Sequence, residues 1–183
     1  QSLTNPIYKN SALAFIIDIS FGNSNWDDVV KWTSIIKNSK PSPDQLTRAI
    51  YQMGFAYYQK DQITEAIKAL NSSSDNKISD KWKTRISYLL GECHSKNKQL
   101  EEAEKSFSIA LEGMAKEEAK ECHFRLGVTR FLMTKYEQAL ANFDIFLQEN
   151  KDLQDPKSRQ ATLYKGRIYY ELKKYLEAET ELQ

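Results

Sequence analysis

The sequence predicts an all-α protein built from repeated antiparallel helix pairs. A glycine recurs at intervals of 37, 36 and 39 residues, at Gly54, Gly91, Gly127 and Gly166. Each glycine is followed twelve residues later by an alanine, at Ala66, Ala103, Ala139 and Ala178. Four residues beyond each alanine stands a large apolar residue, at Leu70, Phe107, Phe143 and Leu182. Self-similarity at this period is typical of stacked helical repeats, and no segment alternates like a strand.

Small residues twelve apart are explained by two antiparallel helices joined by a short turn. Glycine on the first helix and alanine on the second let the two backbones approach closely. Larger residues then fill the space between neighbouring pairs, including the one three residues before each alanine, at Ile63, Leu100, Tyr136 and Tyr175.

The pattern resembles the tetratricopeptide repeat (TPR), a unit of about 34 residues. The fullest match is the third unit, with Leu90, Gly91, His94, Leu100, Ala103, Phe107 and Ala110. The fourth unit follows the motif but has Phe146 where a small residue is usual. A first unit without the glycine is marked by Ile17, Trp26, Val29, Thr33, Ile36 and Pro41. The resemblance implies a right-handed α-solenoid.

The register predicts a lead-in, 1–9, followed by a single solenoid, 10–183. The solenoid is divided into five units, 10–43, 47–80, 84–117, 120–153 and 159–183. The last unit stops at its twenty-fifth residue, inside an expected helix, and we therefore expect the natural chain to continue.

Helix boundary signals agree with this register. Ser42-Pro43-Asp44-Gln45 predicts an N-cap, a proline at the first helical position and a glutamine that reaches back. Asp155-Pro156 predicts a similar start, and Thr134-Lys135-Tyr136-Glu137 predicts a capping box. Gly113 is expected to end a helix in the left-handed conformation. The clearest connecting loop is 71–76, Asn-Ser-Ser-Ser-Asp-Asn.

The first helix is apolar on nearly every side over 13–19, which indicates cover from more than one direction. One interpretation is cover by Ile7, Tyr8 and the next repeat. The other is contact with further repeats upstream or with another subunit.

Composition narrows the function classes. The formal charge is +1 with no basic stretch, which disfavours nucleic acid as a partner. The longest apolar stretch, 13–21, is interrupted by Asp18 and Ser20 and is too short to insert across a membrane. We expect a soluble protein, with the cytoplasm and the bacterial periplasm or cell envelope both left open.

Two Cys-His pairs, Cys93-His94 and Cys122-His123, raise the question of a zinc site. Adjacent helical residues project about 100° apart, whereas ligands on one helix need a spacing of three or four. We therefore expect buried, reduced thiols and packed imidazoles, with no metal and no cofactor. The chain has no phosphate-binding glycine loop, metal helix or nucleophile elbow, so we expect no enzyme.

The resemblance also implies a concave groove lined by the first helices, which binds a peptide or a helix of another protein. Mapping the family's groove positions onto this chain selects Arg48, Tyr51, Phe55, Tyr58, Arg85, Tyr88, Leu89, Phe124, Arg125, Val128, Phe131, Leu132 and Arg167. The same mapping adds polar and further apolar positions, at Gln52, Gln59, Glu92, Ser95, Lys96, Glu121, Gln160, Leu163, Tyr164, Tyr170 and Glu171.

Within this set, Phe55, Leu89, Val128 and Leu132 predict an apolar floor that prefers an apolar or amphipathic segment. The four arginines pair either with acidic residues of the ligand or with Glu92, Glu121 and Glu171 of the groove itself. The carboxylate clamp of chaperone-binding members is not expected, because its lysine and asparagine positions hold Ala14 and Asp18 in the first unit.

Two functions remain at this stage. The first is an adaptor or scaffold that binds a protein or peptide in its groove. The second is a structural segment of a longer solenoid or oligomer, which contacts its partners, including copies of itself, through the terminal repeats.

Overall fold

The computed structural model describes residues 6–73, 79–150 and 155–182, with the side chains of residues 6 and 7 left aside. Over these ranges every regular element is an α-helix, which confirms the predicted fold class. The helices are α1 (Pro6–Gly22), α2 (Trp26–Lys37), α3 (Pro43–Gln59), α4 (Ile63–Asn71), α5 (Asp80–Lys96), α6 (Leu100–Gly113), α7 (Lys116–Leu132), α8 (Tyr136–Glu149), α9 (Pro156–Glu171) and α10 (Tyr175–Leu182).

The chain forms two compact units, Gln1–Asn97 and Lys98–Gln183, here called unit 1 and unit 2. Unit 1 contains the pairs α1/α2 and α3/α4, with α5 packed on the second pair. Unit 2 contains α6 packed on α7, followed by the pairs α7/α8 and α9/α10. The expected loop over 71–76 falls at the end of α4: Asn71 is the last helical residue, Ser72 and Ser73 form a turn, and the remainder lies outside the described residues.

The two helices of a pair are joined by three residues, and the same hydrogen bonds recur in these turns. In α3/α4 the Asp61 amide donates to the Tyr58 carbonyl at 3.1 Å, and the Gln62 amide donates to the Tyr57 carbonyl at 2.9 Å. This pair of bonds is the Schellman motif, which needs a left-handed residue after the helix. The left-handed position is taken here by residues other than glycine, among them Ser24, Asp61, Thr134 and Lys173.

That turn explains why the capping box predicted at Thr134 is wrong. Thr134 has φ 58° and lies in the turn, where its hydroxyl donates to the Met133 carbonyl at 2.7 Å. The N-cap of α8 is Lys135, and no side chain caps this helix. The prediction for Gly113 is wrong too, because this residue is the last helical residue of α6 and no described glycine has a positive φ.

The predicted starts of the two helices that begin with a proline, α3 and α9, are confirmed. At α3 the Ser42 hydroxyl accepts from the Gln45 amide at 3.3 Å, and the Gln45 side chain accepts from the Ser42 amide at 3.0 Å. At α9 the Asp155 carboxylate accepts from the Ser158 amide at 3.0 Å. In both helices the proline occupies the first turn, where its missing N–H leaves no hydrogen bond unmade.

The repeated glycine lies against the large apolar residue of its own second helix. A Cβ placed at Gly127 would lie 2.8 Å from the Phe143 ring, and one at Gly166 would lie 2.8 Å from the Leu182 side chain. Gly54 faces Leu70 in the same way. The glycine therefore admits a bulky side chain into the gap between the helices of a pair, while the buried alanine keeps the second helix close.

Cover of the first helix agrees with the expectation in part. Leu13 and Ile17 are buried against α2 and α3, in a cluster with Val29 and Ile36, so cover by the next repeat is confirmed. Tyr8 belongs to α1 itself and is exposed, so it does not cover the helix, and the Ile7 side chain lies outside the described residues. Among the described residues, Phe15 and Ile19 of α1 are exposed.

We expect Gly127→Ala to lower the free energy of unfolding by about 1–3 kcal/mol, because the added methyl group displaces the fully buried Phe143 ring. Urea denaturation measures the change. The matched control is Gly22→Ala, where no atom lies within 4 Å of the new Cβ and stability should stay within about 0.5 kcal/mol of the wild type. Equal effects of the two changes would contradict the packing role of the glycine.

Thr134→Gly should raise the free energy of unfolding by about 1 kcal/mol, because a left-handed backbone is costly for a residue with a Cβ and not for glycine. The comparison is Thr64→Gly, an exposed site in the first turn of α4, where the same change should lower stability by about 0.3 kcal/mol. Urea denaturation measures both changes. If Thr134→Gly also lowered the free energy of unfolding, the backbone strain inferred at Thr134 would be contradicted.

Candidate functional site

The predicted groove residues lie on the first helices of the helix pairs, one set in each unit. The unit 1 face comprises Arg48, Tyr51, Phe55 and Tyr58 on α3 with Arg85, Tyr88 and Leu89 on α5. The unit 2 face comprises Phe124, Arg125, Val128, Phe131 and Leu132 on α7 with Arg167 on α9, together with the further mapped positions Gln160, Leu163 and Tyr164 on α9.

Aromatic rings on the unit 1 face pack between helices. The Phe55 ring lies between Phe21, with centroids 5.2 Å apart, and Trp26, at 5.8 Å. Tyr51 packs against Trp82 at 5.5 Å, and burial raises the pKa of its hydroxyl despite the nearby Arg85. These rings hold α1, α3 and α5 together and leave little free apolar floor.

Trp82 was not among the predicted site residues. Its side chain is buried, and its indole N–H donates to the Asp44 carboxylate at 2.9 Å. The bond joins the first turn of α3 to the first turn of α5. Spacing could have revealed this contact. Asp44 and Trp82 are 38 residues apart, close to one repeat, and both lie at the start of a first helix.

Charged groups of the unit 1 face have partners within the unit. The Arg48 guanidinium lies 2.6 Å from the Asp18 carboxylate, which also accepts from the Gln52 side-chain Nε2 at 2.8 Å. Arg85 lies over the Trp82 ring, 5.5 Å from its centroid.

Tyr58 and Glu92 are also joined within unit 1. The Tyr58 hydroxyl donates to the Glu92 carboxylate at 3.3 Å, and the Lys96 ammonium lies 4.8 Å from the Tyr58 ring centroid. Within unit 1 the Glu92 carboxylate thus accepts from a tyrosine, and the arginine partner that the sequence mapping assigns to it stays a prediction.

Leu89 does not belong to an open surface, and its predicted place on an exposed apolar floor is wrong. It is only 5% exposed and packs in a cluster with Leu70, Ile86 and Cys93. The physical reason is that this side of α5 faces the preceding pair α3/α4 and not solvent. Tyr88, one residue earlier, is half-buried.

Phe124 on the unit 2 face is likewise buried. Its ring lies 5.1 Å from Phe146 and 6.1 Å from Phe143, inside the core of unit 2. Phe146, noted in the sequence as larger than the motif requires, fills this core. Phe124 is therefore a core residue and not a ligand contact.

The remaining apolar residues of the unit 2 face are accessible. Leu132 is exposed, Val128 is half-buried, and the Phe131 ring packs at a tilt against Tyr164, with centroids 5.0 Å apart. The Arg167 guanidinium also lies over the Phe131 ring, 5.3 Å from its centroid.

A cavity of about 250 Å³ opens on the α9 side of this face. It is lined by Gln160, Leu163, Tyr164 and Arg167, four positions that the sequence mapping places in the groove. Leu163 is exposed within it. The structure therefore brings the α9 part of the predicted surface together as one concave site.

Charges beside this cavity are partly neutralised. The sequence mapping gave Glu121 as a partner for an arginine of the groove, and the structure shows such a pair. The Glu121 carboxylate accepts from Arg125 at 3.1 Å and from Lys157 at 2.6 Å. Arg125 thus has a partner of its own, whereas Arg167 is exposed and lies on an aromatic ring.

A polar network behind the unit 2 face accounts for His123. Arg130 donates to Glu104 at 3.0 Å and to Asn142 at 2.6 Å, and the Asn142 amide nitrogen lies 3.0 Å from His123 Nδ1. Burial, and then the charge of Arg130, hold the pKa of His123 below its usual value. Burial would raise the pKa of Glu104, but hydrogen bonds from Lys135 and Arg130 hold it below its usual range.

Both cysteines are buried, as expected. Burial, aided by the adjacent Glu92 carboxylate, raises the pKa of Cys93 to about 12, so its thiol is neutral at physiological pH. The Cys122 thiol donates to the Phe107 carbonyl at 3.5 Å. Within the described ranges, no three or more His, Cys, Asp or Glu side chains are arranged to hold a metal ion. Nor does any described helix combine the length and the apolar character needed to span a bilayer.

Comparison with known families agrees with this geometry. Models of the tetratricopeptide repeat match residues 48–73, 84–112 and 124–183, which together make up more than half of the chain. No curated protein sequence matches this chain.

Solved structures share the fold at low identity. YrrB, a TPR protein with an unusual peptide-binding site, is 17% identical with a TM-score of 0.79, over 99% of this chain and 89% of YrrB. MamA from Desulfovibrio magneticus RS-1 is 14% identical with a TM-score of 0.74, over 94% of this chain and 90% of that structure. Identities this low establish the likeness of fold alone.

Leu89→Ala should lower the free energy of unfolding by about 2–5 kcal/mol, because it leaves a cavity in the core of unit 1. Leu132→Ala, the same change at an exposed position, should cost less than about 0.5 kcal/mol. Urea denaturation of both variants distinguishes a core leucine from a surface leucine. A small effect of Leu89→Ala on stability would contradict its place in the core and favour its predicted place on the binding surface.

Proposed function

This chain belongs to the tetratricopeptide repeat family, and we propose that it is a non-catalytic scaffold that binds an apolar or amphipathic segment of another protein on its unit 2 face. The observation that carries the proposal is the concave site on α9, in which Leu163 is exposed beside Tyr164 and Arg167. Apolar side chains held open in a concavity are typical of interaction sites.

Apolar contacts supply the expected affinity. Leu163 and Leu132 are both exposed, and Phe131 lies half-buried between the two first helices. Burying a leucine side chain contributes about 1.5–3 kcal/mol. A ligand that covers both leucines gains this contribution at each of them, which offsets part of the free-energy cost of association.

Arg167 gives the site a preference in charge. The Arg167 guanidinium over the Phe131 ring is exposed, and a carboxylate can accept two hydrogen bonds from such a group. We expect the bound segment to carry an acidic residue beside its apolar ones. Because Arg125 is already paired with Glu121, the salt dependence of binding should be weak.

The peptide class of ligand has a parallel in the shared fold. YrrB has a peptide-binding site, which at 17% identity supports the class of ligand and none of its details. Unit 1 is the weaker candidate, since Phe55 and Tyr51 are packed between helices and Arg48 is paired with Asp18.

The structural alternative, contact through the terminal repeats, has its own support. Phe15 on α1 and Leu176 on α10 are apolar and exposed on the terminal helix pairs. These residues lie outside the unit 2 face, so the two functions are separable by mutation.

The unit 2 face can be tested by selecting peptides from a displayed random library on the immobilised chain. We expect the selected peptides to combine two apolar residues with an acidic one. Leu163→Glu should weaken their binding at least about tenfold, because it places a charge in the apolar site and repels the acidic residue. Isothermal titration calorimetry measures the affinities.

Ile145→Glu is the matched control, an exposed apolar residue on α8 outside the unit 2 face, and should leave the affinity unchanged. Circular dichroism verifies that both variants are folded. Peptides that bind Leu163→Glu as tightly as the wild type would refute the proposed site.

A further inference from the structure

The Asn142 side chain of α8 contacts two residues of α7. Its Oδ1 accepts a hydrogen bond from the Arg130 guanidinium at 2.6 Å, and its Nδ2 lies 3.0 Å from Nδ1 of His123. Asn142 is only 4% exposed, so a hydrogen bond lost here is not readily replaced by one to water. These three side chains form one polar contact between the two helices, and their chemistry decides which atom donates at each step.

Arg130 fixes the orientation of the Asn142 amide. A guanidinium carries only N–H donors, so the amide atom that faces it has to be the oxygen. The amide nitrogen, which is also only a donor, then faces His123. His123 therefore accepts at Nδ1 and carries its proton on Nε2, which is a neutral imidazole. Turning the amide over would place its N–H groups against the N–H groups of Arg130.

A protonated His123 does not fit this arrangement. Both ring nitrogens of an imidazolium are donors, so its Nδ1–H would face the N–H groups of Asn142. Neither orientation of the amide then satisfies Arg130 and His123 together. Protonation therefore has to break a hydrogen bond at a buried side chain that joins α7 to α8.

Charged groups on three helices surround this contact. Burial, and then the charge of Arg130, lower the pKa of His123, while the Glu149 carboxylate of α8 acts in the opposite direction. Glu149 is itself paired with Lys116 of α7 at 2.9 Å. From α6, the Glu104 carboxylate binds Nε of Arg130 at 3.0 Å. The arginine that opposes protonation is therefore held in place from a third helix.

We propose that His123 is a pH-sensitive lock between α7 and α8, which holds the Asn142 amide while neutral and releases it on gaining a proton. Since the folded chain binds this proton less readily than the unfolded chain, the stabilisation is fully present above about pH 6.5 and is lost as the pH falls below it. The loss levels off once the folded chain is protonated as well. Peptide binding on the unit 2 face is not required for this lock to act.

The wild-type chain gives the first test, because it contains only two histidines. Long-range proton–nitrogen NMR correlations at about pH 8 should show His123 with its proton on Nε2 and none on Nδ1. Comparison with His123→Asn, which lacks these signals, assigns them. A proton on Nδ1 would overturn the proposal, because this nitrogen would then be a donor facing a donor.

Urea denaturation at about pH 7 and about pH 5 measures the effect on stability. The folding equilibrium constant of the wild type should fall at least about threefold over this interval. In His123→Asn a side-chain oxygen replaces Nδ1 as the acceptor and does not titrate, so this loss should disappear. His94→Asn, which removes the other histidine, in unit 1, should keep it. Equal losses in the wild type and in His123→Asn would contradict the lock.

Asn142→Asp should reverse the sign of the effect. A carboxylate at this position accepts from Arg130 and also from the protonated imidazole, so a fall from about pH 7 to about pH 5 should strengthen the contact. The NMR titration midpoint of His123 should rise above its wild-type value. A midpoint that stays at or below the wild-type value in the folded variant would overturn the proposal. If circular dichroism shows that Asn142→Asp is unfolded, the wild-type tautomer and the pH dependence of His123→Asn decide.

Discussion

The contact between a glycine of the first helix and a large apolar side chain of the second is the constraint on which this structure depends. Because Gly127 has no side chain, Phe143 lies directly against the α7 backbone, and Gly54 with Leu70 repeats the arrangement. The inserted residue then forms the surface on which the next first helix packs, as Tyr164 stacks on Phe143. In these repeats one small residue thereby sets the geometry within a pair and the position of the helix that follows, whereas the first pair has Ile17 at the glycine position.

The sequence predicted the fold well because the repeated signal is local and redundant. A helix pair is specified by spacing, and the starts at Ser42 and Asp155 are specified by side chains that bond within three residues. At Thr134 and Gly113 the observed backbone does not follow residue preference. Thr134 takes the left-handed position of a three-residue turn, although it is not a glycine, and Gly113 is the last helical residue of α6.

The candidate site was predicted less well, because residue spacing does not show which helices cover a given face. A helical position can be mapped onto a face, but its exposure depends on which neighbour lies against that face. Leu89 and Phe124 are buried because other helices cover them, and Phe55 is wedged between two rings of α1 and α2. Leu132 and the α9 residues Leu163 and Arg167 remained accessible as mapped.

The separate clusters around Val29, Leu70 and Phe143 bear on how the chain folds. Each is assembled from helices adjacent in the chain, so no cluster requires the closure of a long loop before its first contacts form. Such topologies fold rapidly, and because their stability is roughly the sum of terms from each repeat and its neighbours, parts of the array can open locally. Amide hydrogens would accordingly exchange at graded rates along the chain, fastest in the helices with the fewest packed neighbours.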